Sequence, residues 1–295
     1  MLYRKAAVVF DLHCDTPFFL EKKKTRHIRP SQLHKQRYVG AVFAHFVYPT
    51  SKHPFVDAVR MIASTADYLS KKRTMKPVRE YRDIVPHRAN IVLGVEGGHI
   101  FDDVFGQVEV LYEFGVRVFT ITWNNSNRLA HSAMDGDKKG LTKRGREYLR
   151  KLSEYSVILD LSHASTRSVL DICEICENRV IASHSCVRSL NPSFVRNIGD
   201  RSIKAICDRG GVIGVNFSKH HLGKYGIVDH IDYLCDKYGV ECAAIGSDFD
   251  GINDPVIRGP GSIAHVEDAL SARGYKKSDI KKIFSGNFLR VFRRM

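Results

Sequence analysis

The sequence lacks the long apolar runs that would place it in a membrane. No uncharged run reaches the length of about 18 residues that a transmembrane helix needs. Residues 6–10 are apolar, but this stretch is too short for the core of a signal peptide, and no small-residue cleavage site follows it. We therefore expect a cytoplasmic protein without a membrane partner.

Cysteine is also scarce, since seven of the 295 residues are cysteine and they are scattered along the chain. Cys173 and Cys176 form a C-x-x-C motif inside a predicted helix, but no second pair accompanies it, so neither a zinc site nor a redox site is indicated. We expect all seven cysteines to be reduced and to pack as small hydrophobic residues.

Acidic residues are outnumbered by basic ones. The chain has 46 Lys and Arg against 32 Asp and Glu, which gives a net charge of +14. Such an excess raises the question of nucleic-acid binding. The basic residues, however, lie mainly in predicted helices and in residues 22–37, which are expected to form a long solvated loop. We therefore expect no nucleic-acid partner.

Eight short apolar runs rich in β-branched residues recur along the chain. They are residues 7–15, 39–48, 90–96, 116–124, 157–163, 180–184, 212–217 and 243–248. Stretches with helical periodicity separate most of them, at residues 56–71, 105–114, 142–155, 166–176, 201–209 and 228–237. The runs are nearly continuous in hydrophobicity, which is typical of parallel strands covered on both faces.

This alternation predicts an α/β fold, most simply a single (β/α)8 TIM barrel. An open doubly wound sheet is the alternative, but it would prefer a glycine-rich turn after the first strand, and residues 14–17 contain no glycine. No linker divides the chain, so residues 1–295 are expected to form one domain. Residues 280–292 are expected to form a C-terminal helical extension.

Side chains suited to metal binding end five of the predicted strands, and the C-terminal ends of barrel strands face the active-site mouth. His13 and Asp15 end the first strand and share one face of it, because side chains alternate along a strand. The third, fifth, sixth and eighth strands end, in that order, in Glu96, His163, His184 and Asp248.

Each residue alone is a weak signal, but together they predict a metal centre. Unpaired charges gathered in one mouth would cost several kcal/mol each, so a cation is expected between them. The set supplies enough nitrogen and oxygen ligands for two ions such as zinc. Two such ions hold a bridging hydroxide that attacks a carbonyl or phosphoryl group, and Asp248 is placed to transfer the proton to the leaving group. No P-loop, G-x-S-x-G or Cys/His nucleophile motif competes with this chemistry.

Six blocks of sequence, in order along nearly the whole chain, resemble the membrane (renal) dipeptidase family. The blocks are residues 13–17 (HCDTP), 95–99 (VEGGH), 159–163 (LDLSH), 182–185 (ASHS), 196–197 (RN) and 246–251 (GSDFDG). The resemblance implies a zinc peptidase with an amidohydrolase-like barrel, and a soluble bacterial-type member of the family. It also implies hydrolysis of dipeptides, often with a D-residue tolerated at the second position, and suggests a homodimer.

The resemblance further implies a role for each matched residue. His13 and Asp15 would bind one zinc ion, His163 and His184 would bind the other, and Glu96 would bridge the two zinc ions of the chain.

Three more residues acquire roles through the resemblance. Asp248, together with the bridging Glu96, would be catalytic, with Asp248 as the acid/base. Arg196 would hold the substrate carboxylate, for which its planar fork is suited; by itself it would be interpreted as a solvent-exposed loop residue. Trp123 stands where mammalian members have a histidine, and it would either line the substrate pocket or belong to the core, with His131 as an alternative to the missing histidine.

Two other functions remain open at this point. A related dinuclear-metal barrel hydrolase that acts on another amide, a lactone or a phosphoester would use the same ligands. The other function is that of a basic barrel that has lost catalysis and binds nucleic acid or another partner. It is disfavoured because all five expected metal ligands are present.

Overall fold

The computed structural model describes residues 6–20, 26–101 and 104–295. In these ranges the strands are β1 Val9–Cys14, β2 Tyr38–Phe46, β3 Met75–Pro77, β4 Ala89–Glu96, β5 Val116–Thr120, β6 Ile158–Asp160, β7 Arg179–Ile181, β8 Ile213–Val215 and β9 Ala243–Ile245. The α-helices are α1 Pro17–Leu20, α2 Pro54–Ser70, α3 Val104–Glu113, α4 Lys143–Leu152, α5 Thr166–Ile175, α6 Asp200–Asp208, α7 Lys219–Leu222, α8 Ile227–Tyr238, α9 Ala264–Ala272, α10 Lys277–Lys281 and α11 Asn287–Arg293. None of the helices described is both long and apolar enough to cross a bilayer.

Eight of the strands form a closed parallel barrel. β1, β2, β4, β5, β6 and β7 are neighbours in that order, and β8 pairs with β9. Single parallel bridges complete the ring, between Ala182 and Ile213 at one junction and between Cys14 and Phe249 at the other. The predicted (β/α)8 barrel is therefore confirmed, and the open doubly wound sheet is wrong. β3 pairs with the start of β4 as an additional strand.

Each predicted strand overlaps one barrel strand, but most of the observed strands are shorter. The run of residues 157–163, for example, contributes only β6. The residues that follow turn away from the barrel wall, and His163 adopts a left-handed conformation with φ 67°, which no β-strand contains. The periodicity missed β3 and the helices α1, α7 and α9, which are short or weakly amphipathic.

The interior of the barrel is apolar below the strand ends. Side chains such as Phe10, Val42 and Val118 fill it, and the C-terminal helix closes the N-terminal end. The predicted extension is present as α10, a π-helical turn at Lys282–Gly286 and α11. The Phe288 ring of α11 lies 4.7 Å from the Phe10 ring, between centroids. A second apolar layer lies between the strands and the surrounding helices.

Two sequence expectations need correction. Cys207, in α6, and Cys242, just before β9, form a disulfide with their Cα atoms 5.7 Å apart, so the expectation that all cysteines are reduced is wrong for this pair. Their separation of 35 residues carried no signal, and only the tertiary fold brings them together.

The basic segment of residues 22–37 is not simply a solvated loop. Residues 22–25 lie outside the described residues. In the remainder, Ile28 and Leu33 are completely buried, and a 3-10 helix spans Pro30–Gln36. The Arg37 side chain pairs with Glu267. This part of the connection therefore packs against the barrel.

A histidine outside the predicted site makes the fold sensitive to acid. His45, in β2, is completely buried, with Nδ1 2.7 Å from the Gly94 carbonyl oxygen and Nε2 3.0 Å from Thr65 Oγ1. A carbonyl only accepts, so Nδ1 carries the hydrogen and Nε2 accepts from the Thr65 hydroxyl. Burial lowers the pKa of His45 to about 4.

We predict that this histidine destabilises the fold below neutral pH. The unfolded chain binds the proton near its ordinary pKa of about 6.5, so stability is full above that pH and falls as the pH drops towards 4, by about 2 kcal/mol at pH 5. The measurement is denaturant unfolding of the wild type and His45→Gln at pH 8 and pH 5. The loss between the two pH values should be about 2 kcal/mol smaller in the variant, and an equal loss in both proteins would refute the prediction.

Candidate active site

The predicted site residues gather at the C-terminal end of the barrel. His13 belongs to β1 and Glu96 ends β4, whereas His163, His184 and Asp248 each follow a strand by three residues. All of them are buried, with exposures of at most 8%. Parallel strands of a barrel end at the same rim, which is why residues so distant in sequence meet there.

One carboxylate oxygen lies at the centre of this group. Glu96 Oε1 is 3.0 Å from His163 Nε2, 3.4 Å from His184 Nε2 and 3.7 Å from His13 Nε2. The Nε2 atoms of His163 and His184 are themselves 2.9 Å apart. Three imidazole nitrogens therefore converge on a single carboxylate, an arrangement typical of metal ligands.

A second group of ligand atoms adjoins the first. His13 Nε2 lies 3.5 Å from Asp15 Oδ2. The potential ligand atoms of His13, Asp15 and Asp248 all lie within 4.8 Å of one another, and the same holds for His13, Glu96 and His184. The two groups share His13, so the donors surround two adjacent positions.

The electrostatics of the site fit bound cations. Burial raises the pKa of Glu96 well above its ordinary value. Burial by itself lowers the pKa of His13, but the charges of Glu96 and Asp15 raise it to about 10. Although buried, His13 Nε2 has no hydrogen-bond partner among the described residues. An unpartnered imidazole nitrogen beside buried carboxylates is a donor set that divalent metals complete.

The other two histidines are oriented by neutral side chains. His163 Nδ1 lies 2.9 Å from Asn124 Oδ1, and His184 Nδ1 lies 2.8 Å from Ser183 Oγ. An amide oxygen only accepts, so His163 carries its hydrogen on Nδ1 and directs the Nε2 lone pair towards Glu96. The sequence analysis assigned no role to Asn124 or Ser183, although each is adjacent in sequence to a predicted site residue.

Asp248 is held in an unusual backbone conformation. Its φ is 60°, a left-handed value that costs a non-glycine residue of the order of 1–3 kcal/mol and is concentrated at functional sites. Its backbone N–H donates to the His13 carbonyl, and its Oδ2 accepts from Asn216 Nδ2 at 2.8 Å. Burial and the nearby charge of Asp15 raise the pKa of Asp248 to about 7.

Arg196 is buried rather than solvent-exposed. Its guanidinium donates to Ser185 Oγ at 3.0 Å and to the His184 carbonyl at 3.2 Å, while its Nε has no partner in the part of the chain that the structure describes. Burial lowers the pKa of Arg196 to about 10. Its hydrogen-bond partners are all neutral, and a buried cation of this kind provides a site for an external anion.

The predicted site residues other than His13 line a cavity of about 800 Å³. Trp123 forms part of its wall, with its ring 4.7 Å from that of Phe46, between centroids, so it is not a core residue. His131 is not among the residues that line this cavity.

A histidine that was not predicted from the sequence also lines this cavity. His221 of α7 is buried, and neither of its ring nitrogens has a hydrogen-bond partner within residues 6–20, 26–101 and 104–295. It lines the same cavity as Arg196. Its ring packs edge-on against Phe194 at 4.7 Å between centroids. The site residues were predicted from metal-binding side chains at strand ends, and β8, the strand before His221, ends without one. The pair of adjacent histidines at residues 220–221 was the sequence feature that could have indicated this residue.

Comparison with known proteins identifies relatives of this chain. Residues 3–295 match the family model described as Membrane dipeptidase (Peptidase family M19). An uncharacterized protein in the pqqA 5' region of Klebsiella pneumoniae is 31% identical over 223 residues, which are 70% of this chain and 82% of the relative. Dipeptidase 3 of Mus musculus is 29% identical over 262 residues, which are 81% of this chain but only 52% of the mouse protein.

A solved structure shares the fold. The metallo peptidase from Rhodobacter sphaeroides, liganded with a phosphinate mimic of the dipeptide L-Ala-D-Ala, superposes with a TM-score of 0.89 at 20% identity. The match covers 98% of this chain and 99% of that one. At this level of identity the likeness concerns the fold.

We predict that Gly251 is required for the site to hold its carboxylates in place. A Cβ at this position would overlap Asp15 Oδ2 and Asp248 Oδ1. Gly251→Ala should therefore displace both groups and weaken zinc binding by about tenfold or more, measured by competition with a chromophoric chelator. Gly199→Ala is the matched control, since a Cβ there meets no atom within 4 Å. Unchanged zinc affinity in Gly251→Ala would contradict the prediction.

Proposed function

The chain belongs to the membrane dipeptidase family, peptidase family M19, and we propose that it hydrolyses dipeptides with the help of two zinc ions. The observation that carries the proposal is the convergence of three histidine Nε2 atoms on Glu96 Oε1 in a cavity that also contains an unpaired, buried Arg196. A metal centre and an anion site in one cavity match two groups of a dipeptide substrate. The metal centre suits the scissile amide, and the anion site suits the free carboxylate.

In this proposal, His13 and Asp15 would hold one ion, His163 and His184 would hold the other, and Glu96 would serve as a ligand of both. The ions would supply Lewis acidity towards the scissile carbonyl and would lower the pKa of the attacking water.

Asp248 moves the proton in the proposed reaction. Asn216 donates to its Oδ2, which leaves Oδ1, the oxygen on the side of Gly251 and Asp15, to accept a proton from the attacking water. The same oxygen then delivers the proton to the departing amine, and a buried carboxyl group favours such a transfer because its neutral form is stabilised.

Arg196 and His221 bind the substrate carboxylate in this scheme. Both have nitrogen atoms that lack partners, both are buried, and both line the cavity. An anion placed between them would satisfy these atoms, so a free C-terminus would bind more tightly than a neutral one. Trp123 contributes to the wall beside them. The homodimer, the single domain and the cytoplasmic location stay predictions.

Hydrolysis of L-Ala-L-Ala and L-Ala-D-Ala by the zinc-loaded protein tests the proposed function. Activity should disappear on chelation and return with zinc. Asp248→Asn should lower kcat by about 10²- to 10⁴-fold because it removes the proton-transfer group, with zinc content unchanged. Asp236→Asn, on the exposed side of α8, is the control. Dipeptidase activity that is equal in Asp248→Asn and the wild type would exclude this role, and hydrolysis of lactones or phosphoesters alone would exclude the substrate class.

The carboxylate site is tested by comparing dipeptides with their C-terminal amides. The wild type should prefer the free acid, whereas Arg196→Met should lose most of that preference, with kcat/KM for the acid reduced by about 100-fold. The exposed Arg201→Met serves as the control. A variant that keeps the wild-type preference for the free acid would show that Arg196 does not bind the carboxylate.

A further inference from the structure

Ser183 contacts two of the metal-site histidines at once. Its Oγ lies 2.8 Å from His184 Nδ1 and 3.2 Å from His13 Nδ1. The same oxygen lies 2.6 Å from Asp160 Oδ2. A single hydroxyl group therefore joins two histidine rings to a carboxylate.

Asp160, the last residue of β6, is completely buried and is surrounded by donors. Its Oδ1 accepts the backbone N–H groups of Ser162 at 3.0 Å and Ser183 at 2.8 Å. Its Oδ2 accepts the hydroxyl groups of Thr120 at 2.8 Å and Ser183 at 2.6 Å. Four donors on two oxygens require a carboxylate that only accepts, so the hydroxyl hydrogen of Ser183 points to Asp160.

The direction of this hydrogen determines the state of both rings. A serine hydroxyl has one hydrogen and two acceptor lone pairs. With the hydrogen on the Asp160 side, the oxygen only accepts from the two imidazoles, so each Nδ1 must carry a hydrogen. The Ser162 hydroxyl lies farther away, at 3.3 Å, and accepts the backbone N–H of His184.

We propose that Asp160 and Ser183 form a positioning relay that keeps His13 and His184 protonated on Nδ1 and so presents both Nε2 lone pairs to the metal site. The relay rests on the proposed role of these histidines as metal ligands. Neither relay residue contacts the substrate or the reacting atoms in this scheme. Their effect is on metal affinity, through the tautomer of two rings that belong to different metal positions.

The third histidine provides an internal comparison. His163 Nδ1 is held by Asn124 Oδ1 instead of by Ser183. Changes in the relay should therefore alter His13 and His184 and leave the tautomer of His163 unchanged. A general loosening of the site would affect all three rings alike.

The first test measures zinc affinity by chelator competition. Ser183→Ala removes the shared acceptor and should weaken zinc binding by about 10- to 100-fold. Thr120→Val is the matched control, because it removes another hydrogen bond to the same Asp160 oxygen without touching a histidine; its affinity should stay within about threefold of the wild type. Affinity that falls equally in the two variants would reject the relay.

The second test replaces the carboxylate with an amide. In Asp160→Asn the side-chain NH2 donates to Ser183, whose hydroxyl hydrogen then leaves Asp160 for another acceptor. The two ring Nδ1 atoms, at 2.8 and 3.2 Å, are nearer than the Ser162 hydroxyl at 3.3 Å, so we expect the hydrogen to point to one of the rings. That ring loses its Nδ1 hydrogen and carries a hydrogen on Nε2, where the metal should bind. Zinc affinity should fall at least as far as in Ser183→Ala, and the double variant should lose little more, because both changes break one relay.

The third test observes the tautomers directly. Nitrogen-15 spectra of the histidine rings in the metal-free protein should show a hydrogen on Nδ1 of both His13 and His184 in the wild type, and the loss of that Nδ1 hydrogen at one of the two rings in Asp160→Asn. His163 should keep its Nδ1 hydrogen throughout. Unchanged tautomers in Asp160→Asn would overturn the proposal; if this variant does not fold, the affinities of Ser183→Ala and Thr120→Val decide.

These results are separable from the proposed function. The tautomers and zinc affinities are measured without a substrate. If they follow the expectation but dipeptides are not hydrolysed, then the relay stands and the proposed reaction fails. If dipeptides are hydrolysed while the affinities of the relay variants match the control, then the relay alone is rejected.

Discussion

The buried carboxylate of Glu96, approached by three imidazole nitrogens, is the constraint on which the rest of the site depends. Its oxygen lies within 3.7 Å of all three Nε2 atoms, in surroundings where an uncompensated charge is costly. The proposed cations would compensate this charge, and binding them requires that each ring keep the correct nitrogen turned inwards. The hydrogen bonds on the far side of the rings, from His163 to Asn124 and from His184 to Ser183, serve that requirement.

The barrel separates this polar chemistry from the stability of the fold. Its lower interior is filled by apolar side chains, and Phe288 of the C-terminal helix closes the end opposite the site. The upper rim carries the acidic and imidazole groups, and strained residues such as Asp248 occur there because the rigid strands below fix their backbone. The net charge of +14 therefore describes the exterior, whereas the cavity combines buried carboxylates with one buried, unpaired arginine.

Much of the fold was predictable because the strands of a covered parallel sheet form hydrophobic runs. All eight runs overlap a barrel strand, and the C-terminal extension overlaps the predicted residues 280–292. The limits of the strands were not predictable, since a polar residue such as His163 leaves the ladder through a left-handed turn that hydrophobicity does not register. The Cys207–Cys242 disulfide was missed as well, because its two cysteines are 35 residues apart in sequence and meet only in the tertiary structure.

The sequence by itself determined which groups end the strands, and the regular geometry of a barrel then brought those groups together. Tertiary structure alone decided how they are held. Arg196 is buried without a carboxylate partner among the described residues, and His221 enters the same cavity. Asp160 reaches two histidines through Ser183. All three features depend on contacts between different strands and loops. Hydrogen bonds are set by distances of a few tenths of an ångström, and the spacing of residues along a chain does not specify such distances.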